Sequence, residues 1–465
     1  MSGSQDLVVI GGGPAGLAAA WRAARRGIKV TVLERGDHVG GLGASFDIAG
    51  MRVDHGSHRL HPSIPPEILS DLRSVLGDDL QTRRRNGRLR VANTWVQFPL
   101  RAGNLASELP PSIMARIMRD SATSSFRRPR ADTYAEVLRA GLGPTLYEHL
   151  YGPYAKKLWG MSGDRLAGEQ ARRRVSADTA WKVALRLIRQ SPSEGRGHVY
   201  YYPRRGFGQI AEALAEAAMA SGAEIRLSAE VDSIRAVEDE VIVTTQDGDL
   251  VTAGYAFSTL PLPQLAQICR PAPSLTDMES ATRLRFRAML LVYVVHAGGR
   301  WTPYDAHSIP GPETPVTRIS EPANYRDSSA DPTDLSVLCA EIPCSMTDDV
   351  WGLSDDALGD VVDEALARTG LPKAHRIHVE SRRLGQVWPI YRKGFERDLA
   401  AIDHWSRMLR RVVSFGRQGL FVHDNTHHAM QMGYEAVGAL RDDGRFDRYA
   451  WTESRERFSN HIVED

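Results

Sequence analysis

Along its apolar and polar positions, the chain begins with a short apolar run, Val8-Val9-Ile10, that stops at Gly11-Gly12-Gly13. An alanine-rich stretch from Pro14 to Arg26 continues in helical register. After Gly27 a second run, Lys29-Val30-Thr31-Val32-Leu33, reads as a strand ending at Glu34. Strand, glycine turn, helix and strand make a βαβ unit. Gly11, Gly13 and Gly16 fit G-x-G-x-x-G. The first permits the tight turn, the second lets the backbone approach a pyrophosphate, and the third lets helix and strand pack closely. The helix N-terminus at Pro14 and Ala15 offers N–H groups and partial positive charge to phosphates. Glu34, with Arg35 beside it, falls at the distance suited to a ribose hydroxyl.

Further along, 46–54 reads as two short strands about a turn, and 64–195 as mainly helical, broken at Trp95-Val96-Gln97-Phe98-Pro99-Leu100. A helix is expected over 209–220, stopped by Ser221-Gly222. Strands follow at 223–227 and 230–236, then a hairpin from 241–245 to 250–253 about Asp247-Gly248-Asp249. Apolar, β-branched runs at 288–296 and 334–342 predict strands, and 355–369 an acid-rich amphipathic helix. The order predicts an α/β fold. A Rossmann-like dinucleotide-binding domain takes 1–63, 196–262 and 386–465. A mainly helical insertion takes 64–195, and a sheet-containing substrate domain takes 263–385.

Composition narrows the function. At 465 residues the chain is long enough for two or three intertwined subdomains. A net charge of +1 gives no case for nucleic acid or an anionic membrane surface. The runs Arg83-Arg84-Arg85 and Arg127-Arg128-Pro129-Arg130 read as solvated faces. Cys269, Cys339 and Cys344 match neither a C-x-x-C pair nor a zinc spacing, which suggests a reducing compartment. No apolar run is long enough to span a bilayer. The first strand starts too soon after Met1 for a secretory signal, so a cytoplasmic protein is expected.

The second glycine cluster, Gly40-Gly41-Leu42-Gly43, resembles flavoproteins of the amine oxidase, protoporphyrinogen oxidase and UDP-galactopyranose mutase superfamily, where it lies along FAD. Leu42 stands where many amine oxidases have arginine. Gly56, His58 and His61 match a G-x-H-x-x-H segment that the mutases place beside the flavin ring, which implies catalytic roles for His58 and His61. Tyr154-Ala155-Lys156-Lys157-Leu158-Trp159-Gly160 resembles their Y-x-K-K-x-W-G. Arg172-Arg173-Arg174 follows where relatives hold a substrate diphosphate, and Arg174 is the candidate. Tyr202-Pro203-Arg204-Arg205-Gly206-Phe207-Gly208 resembles the turn returning to the FAD domain, and the resemblance puts the Val231 backbone on the adenine side. Thr317-Arg318-Ile319-Ser320-Glu321 resembles T-R-I-x-E, whose arginine grips the diphosphate with a planar fork.

Val387-Trp388-Pro389-Ile390-Tyr391 resembles the Y-P-I segment before the last helices and makes Tyr391 a substrate candidate. Gly416 and Arg417 resemble the superfamily's closing G-R strand. Asp424 or Asn425 is expected to cap the helix beneath the flavin pyrimidine, with Met430 on that helix. His423, where the mutases have a tyrosine-rich ending, is taken with the substrate.

Plainer readings stand beside these. The two histidines could serve only a loop, and Arg318 could pair with Glu321. His423, Asp424, His427 and His428 invite a metal, but zinc sites need three or four convergent ligands, and none is assigned. Three functions follow. The first is an FAD-dependent oxidoreductase acting on a small polar biosynthetic substrate such as a sugar or sugar nucleotide. The second is a mutase-like, non-redox enzyme using reduced FAD as a nucleophile. The third is a flavin-fold binding protein without turnover.

Overall fold

The structure is a computed structural model that describes residues 6–98, 108–123, 132–174 and 199–463. The first strand, Asp6–Ile10, is apolar on both faces because it is central in a five-stranded parallel sheet. The sheet order is Val412–Ser414, Tyr255–Ser258, Asp6–Ile10, Lys29–Leu33, Glu224–Arg226. Ile10 stands level with Leu33 and Ser258, so three strand ends meet at Gly11. This is where ligands bind on open parallel sheets.

The helix Pro14–Arg25 packs between Gln209–Ala220 and Thr426–Gly438. It fits because of small residues. A Cβ on Gly16 would fall 2.0 Å from the Gly11 carbonyl oxygen, and one on Gly433 would fall 2.5 Å from that of Ala15. Gly11 itself holds φ +105°, with Thr259 Oγ1 2.1 Å from where its Cβ would stand. The helix over Gln209–Ala220 and the hairpin strands Val241–Thr245 and Leu250–Ala253 lie where the apolar pattern puts them.

A seven-stranded sheet forms the other half. Its order is Arg376–Pro389, Phe286–Ala297, Leu335–Cys344, Arg318–Ser320, Ala306–Ser308, Gly87–Val91, Thr94–Phe98. The last two strands correct the sequence reading, because they lie in the segment taken as mainly helical. Their hairpin turns on Ala92 and Asn93, both at positive φ, the two-residue geometry that matches strand twist. Leu80–Arg84 is also a strand and pairs with Val199–Pro203. Helices do follow, at Pro111–Ala122, Tyr134–Leu142 and Pro144–Leu146. The last runs on through a π-helical turn, Tyr147–Tyr151, into Gly152–Trp159. The expected helical residues 175–195, with Pro99, Leu100 and Arg127 to Arg130, lie outside the described residues.

A boundary at 262 also needs correction. Leu262, Leu265, Cys269 and Ala281 share a core with Val8, Val231 and Ile402, so the dinucleotide side extends through that helical pair. Likewise Arg376–Pro389 is one strand across 385.

The contact at Gly433 predicts a specific loss. Gly433→Val should force the closing helix off Ala15 and cost about 1–3 kcal/mol of stability, measured by denaturant unfolding against Gly438→Val. Gly438 has no atom within 4 Å of its Cβ position.

Candidate active site

One cavity of about 1650 Å³ runs from the first glycine turn to the seven-stranded sheet. Its near arm is lined by Gly11, Gly13, Pro14 and Ala15, then by Glu34 and Arg35, with Gly41 and Leu42 opposite. Val231 borders the same arm, and Gly416, Arg417, Asp424 and Asn425 close it. Gly16, Gly40 and Met430 do not line it. Gly16 sets the packing of the first helix, Gly40 donates its N–H to the Gly12 carbonyl at 2.8 Å, and Met430 is fully buried in the core.

The arm fits a dinucleotide on four observations. No side chain caps the Pro14–Arg25 helix. A Cβ on Gly13 would meet no protein atom within 4 Å. The Glu34 carboxylate, held by the N–H groups of Gly12 at 2.6 Å and Gly36 at 2.8 Å, lies on the cavity wall. Asp424 is 6% exposed, and its Oδ2 has no hydrogen-bond partner. Burial pushes its carboxyl up to about 7, against the nearby Arg417 and Arg173. A ligand hydroxyl would satisfy that atom. Gly416 and Arg417 open a one-turn helix, Gly416–Gly419, rather than ending a strand, and Asn425 is the N-cap of Thr426–Gly438.

Beyond this arm lie His58 and His61. Asp54 builds their loop. Its buried carboxylate accepts from Ser45 Oγ at 2.6 Å, the Phe207 N–H at 2.9 Å and the Tyr202 hydroxyl. That ties the loop to the Gly206–Gly208 turn and sets Phe207 under the His58 ring, centroids 5.1 Å apart. His58 Nε2 lies 3.0 Å from the His55 carbonyl, which can only accept, so that nitrogen carries the proton. Burial lowers the His58 pKa despite the opposing Asp54 charge. The ring is neutral at neutral pH and keeps a lone pair at Nδ1. His61 Nδ1 accepts from the Ser63 N–H at 3.1 Å.

Arg318 and Arg174 also face the cavity. Arg318 stands directly across the sheet from Glu341 and donates Nε at 3.0 Å and one terminal nitrogen at 2.9 Å to its carboxylate. Burial works against the Arg318 charge, but Glu341 outweighs it and raises the pKa. Glu321 instead accepts the N–H groups of Trp301 and Thr302 at 2.8 and 3.1 Å, which corrects the short-range pairing with Arg318. Arg174 lies over Trp159 and Trp388, 5.6 Å from each ring. Arg172 and Arg173 are tied to Glu169.

Tyr391 and His423 do not reach the cavity. Tyr391 stacks on Phe395 at 4.1 Å and donates its hydroxyl to the Phe421 carbonyl at 3.0 Å. His423 is fully buried, takes Gln170 Nε2 at 3.1 Å, and lies edge-on to Trp159. They are the wall behind the site. Among the described residues no three metal-capable side chains converge. Sequence reasoning passed over Arg59, which lines the cavity, pairs with Asp305 at 3.2 Å and lies over Tyr325 at 4.8 Å. Its signal was a charge inside the His58-x-x-His61 motif. It also passed over Glu341, a lone acid in an apolar strand.

The family model for flavin containing amine oxidoreductases matches residues 14–393. The chain belongs to that family. It is 30% identical over 266 residues to the phytoene desaturase (neurosporene-forming) of Rhodobacter capsulatus, covering 51% of this chain and 48% of that one. It is 26% identical over 280 residues to polyamine oxidase 4 of Oryza sativa subsp. japonica, covering 59% and 55%. The match thus spans about half the length of these relatives. Among solved structures, reduced UDP-galactopyranose mutase superposes with a TM-score of 0.78 at 21% identity, covering 93% of both chains. A putative protoporphyrinogen oxidase from Exiguobacterium gives 0.71 at 20% identity, covering 94% of this chain and 99% of that one. The family's cofactor is a flavin, and no helix among the described residues is long and apolar enough to cross a membrane.

Two predictions follow from this geometry. Gly13→Val should fold, with unchanged circular dichroism, yet purify without flavin absorbance, because the new side chain meets only the space left for the cofactor. The second concerns the rings of His427, His428 and His461, whose successive centroids are 4.1 Å apart. Burial, then the neighbouring imidazoles, lowers His427 to about 4 and His428 to about 2. Burial, then Arg173, lowers His461 to about 4. The unfolded chain takes up these protons below about 6.5 and the folded one does not, so stability is complete above that pH and falls as pH drops towards 4. Denaturant unfolding of His461→Gln across that window should show a shallower loss than the wild type.

Proposed function

We propose that the protein is an FAD-dependent oxidoreductase acting on a small polar, anionic substrate of the sugar or sugar-nucleotide kind. The observation that carries this reading is the continuity of one cavity from the dinucleotide arm, past His58, to Arg174 and Arg318. When bound, FAD supplies a two-electron acceptor. Arg318, oriented by Glu341, presents its remaining terminal nitrogen to an anionic group, and Arg174 adds a second positive charge between its tryptophans. The Trp159 and Trp388 rings keep water from that wall. His58, neutral and with Nδ1 unprotonated, takes the proton of a substrate hydroxyl as general base.

A mutase-like rearrangement of a nucleotide sugar is the second reading. It is favoured by the joint presence of His58 and Arg318 in one chamber, in the motif order of the mutases.

His58→Ala should keep its flavin yet lose turnover by about 10²–10⁴-fold. Anaerobic spectra of the wild type decide between the readings. Bleaching by candidate substrate, reversed by an acceptor, supports the oxidoreductase. Activity that needs prior reduction, with an unchanged oxidised spectrum, supports the mutase.

A further inference from the structure

The cavity does not end at the arginines. Besides the dinucleotide arm and the arginines, its lining includes the rod formed by Pro144–Leu146, the π-turn Tyr147–Tyr151 and Gly152–Trp159. Leu146, Leu150, Tyr154 and Leu158 recur there in steps of four, and all line the cavity. Such a stripe ordinarily fills a core. Here Leu146 is only half-buried and joins no apolar core among the described residues, and the same holds for Phe98 on the facing hairpin. Leu150 and Leu158 belong to buried cores on their inner sides, Leu89 and Ile117 pack against the Leu150 core from the facing wall, and all four border the cavity.

This groove has a polar end and an apolar end. Tyr154 is close enough to Arg318 to act on its charge, and Arg174 is close enough to Tyr134 to act on its hydroxyl. From Tyr154 the stripe runs to Leu146, eight residues or about 12 Å at the rise of a helix. Leu142, on the preceding helix, extends the apolar lining beyond it.

We propose that the polar, hydroxyl-bearing part of the substrate is joined through a phosphate or diphosphate to a long-chain alcohol, so that the whole molecule is an anionic amphiphile. Its anionic group lies at Arg318 and Arg174, and its hydrocarbon chain lies along Leu158, Leu150 and Leu146 against Leu89 and Phe98. The proposal rests on the reading that these arginines receive an anionic group. It adds what that group is attached to.

The test uses the purified flavin-loaded protein and butyl, octyl and dodecyl phosphate, each below its micellar concentration, with tryptophan fluorescence reporting binding. Affinity should rise by about three- to fourfold per methylene until the groove is filled. Leu146→Glu should remove that gain while the flavin spectrum stays unchanged. Ile117→Glu, from the facing wall, repeats the test should the first variant fail to fold. Equal affinity for butyl and dodecyl phosphate overturns the amphiphile and leaves the anion site standing. Failure of every alkyl phosphate and of inorganic diphosphate to bind overturns both. Equal binding of dodecyltrimethylammonium shows only non-specific apolar uptake and also overturns the proposal. A chain-length dependence confined to the phosphates, and lost in the variants, establishes it.

Discussion

The arrangement depends on how closely backbone meets backbone around the first turn. Gly16 lies against the Gly11 carbonyl, Gly433 against the Ala15 carbonyl, and Gly40 is hydrogen-bonded to Gly12. These contacts join three stretches of chain, the first turn with the segments around Gly40 and Gly433. They also leave the N-terminal amides of the first helix uncapped and facing a cavity. Packing that a single methyl group would disrupt thus leaves open a place where backbone N–H groups can meet phosphates.

Electrostatics organise the far end differently. Arg318 and Glu341 are opposite partners in antiparallel strands, and the carboxylate also accepts the Ser57 N–H at 2.9 Å. One acid therefore fixes both a cavity-facing arginine and the loop that carries His58. Removing either charge would strand the other in a buried setting. Arg59 repeats the arrangement with Asp305. Each of these two cations is held beside a carboxylate.

Much of the near arm was legible in the chain, since Gly11, Gly13, Gly16 and Glu34 work through local spacing that a βαβ unit converts directly into position. His58 was legible through its motif. Arg174 and Arg318 were named through their motifs, but Glu341 was not, because it meets Arg318 through sheet register, and a slip of one residue would send every side chain to the other face. The strands Gly87–Val91 and Thr94–Phe98 were hidden for a related reason. Arg88 and Arg90 stack on Trp95 instead of facing water, so the strands lack a plain polar face. Tyr391 and His423 have the residue types of a substrate site, but Gln170 and Phe421 occupy their polar atoms from inside the core.

Gly87–Val91 also bears on motion. It is hydrogen-bonded in parallel register to Ala306–Ser308, so the inserted segment and the sheet share one ladder. Sliding one past the other would break that ladder's bonds. Hairpin and sheet thus make one continuous wall, and Arg318 stands on it. Because backbone groups make that ladder, side chains on this wall can be exchanged without undoing the strand pairing beneath Arg318.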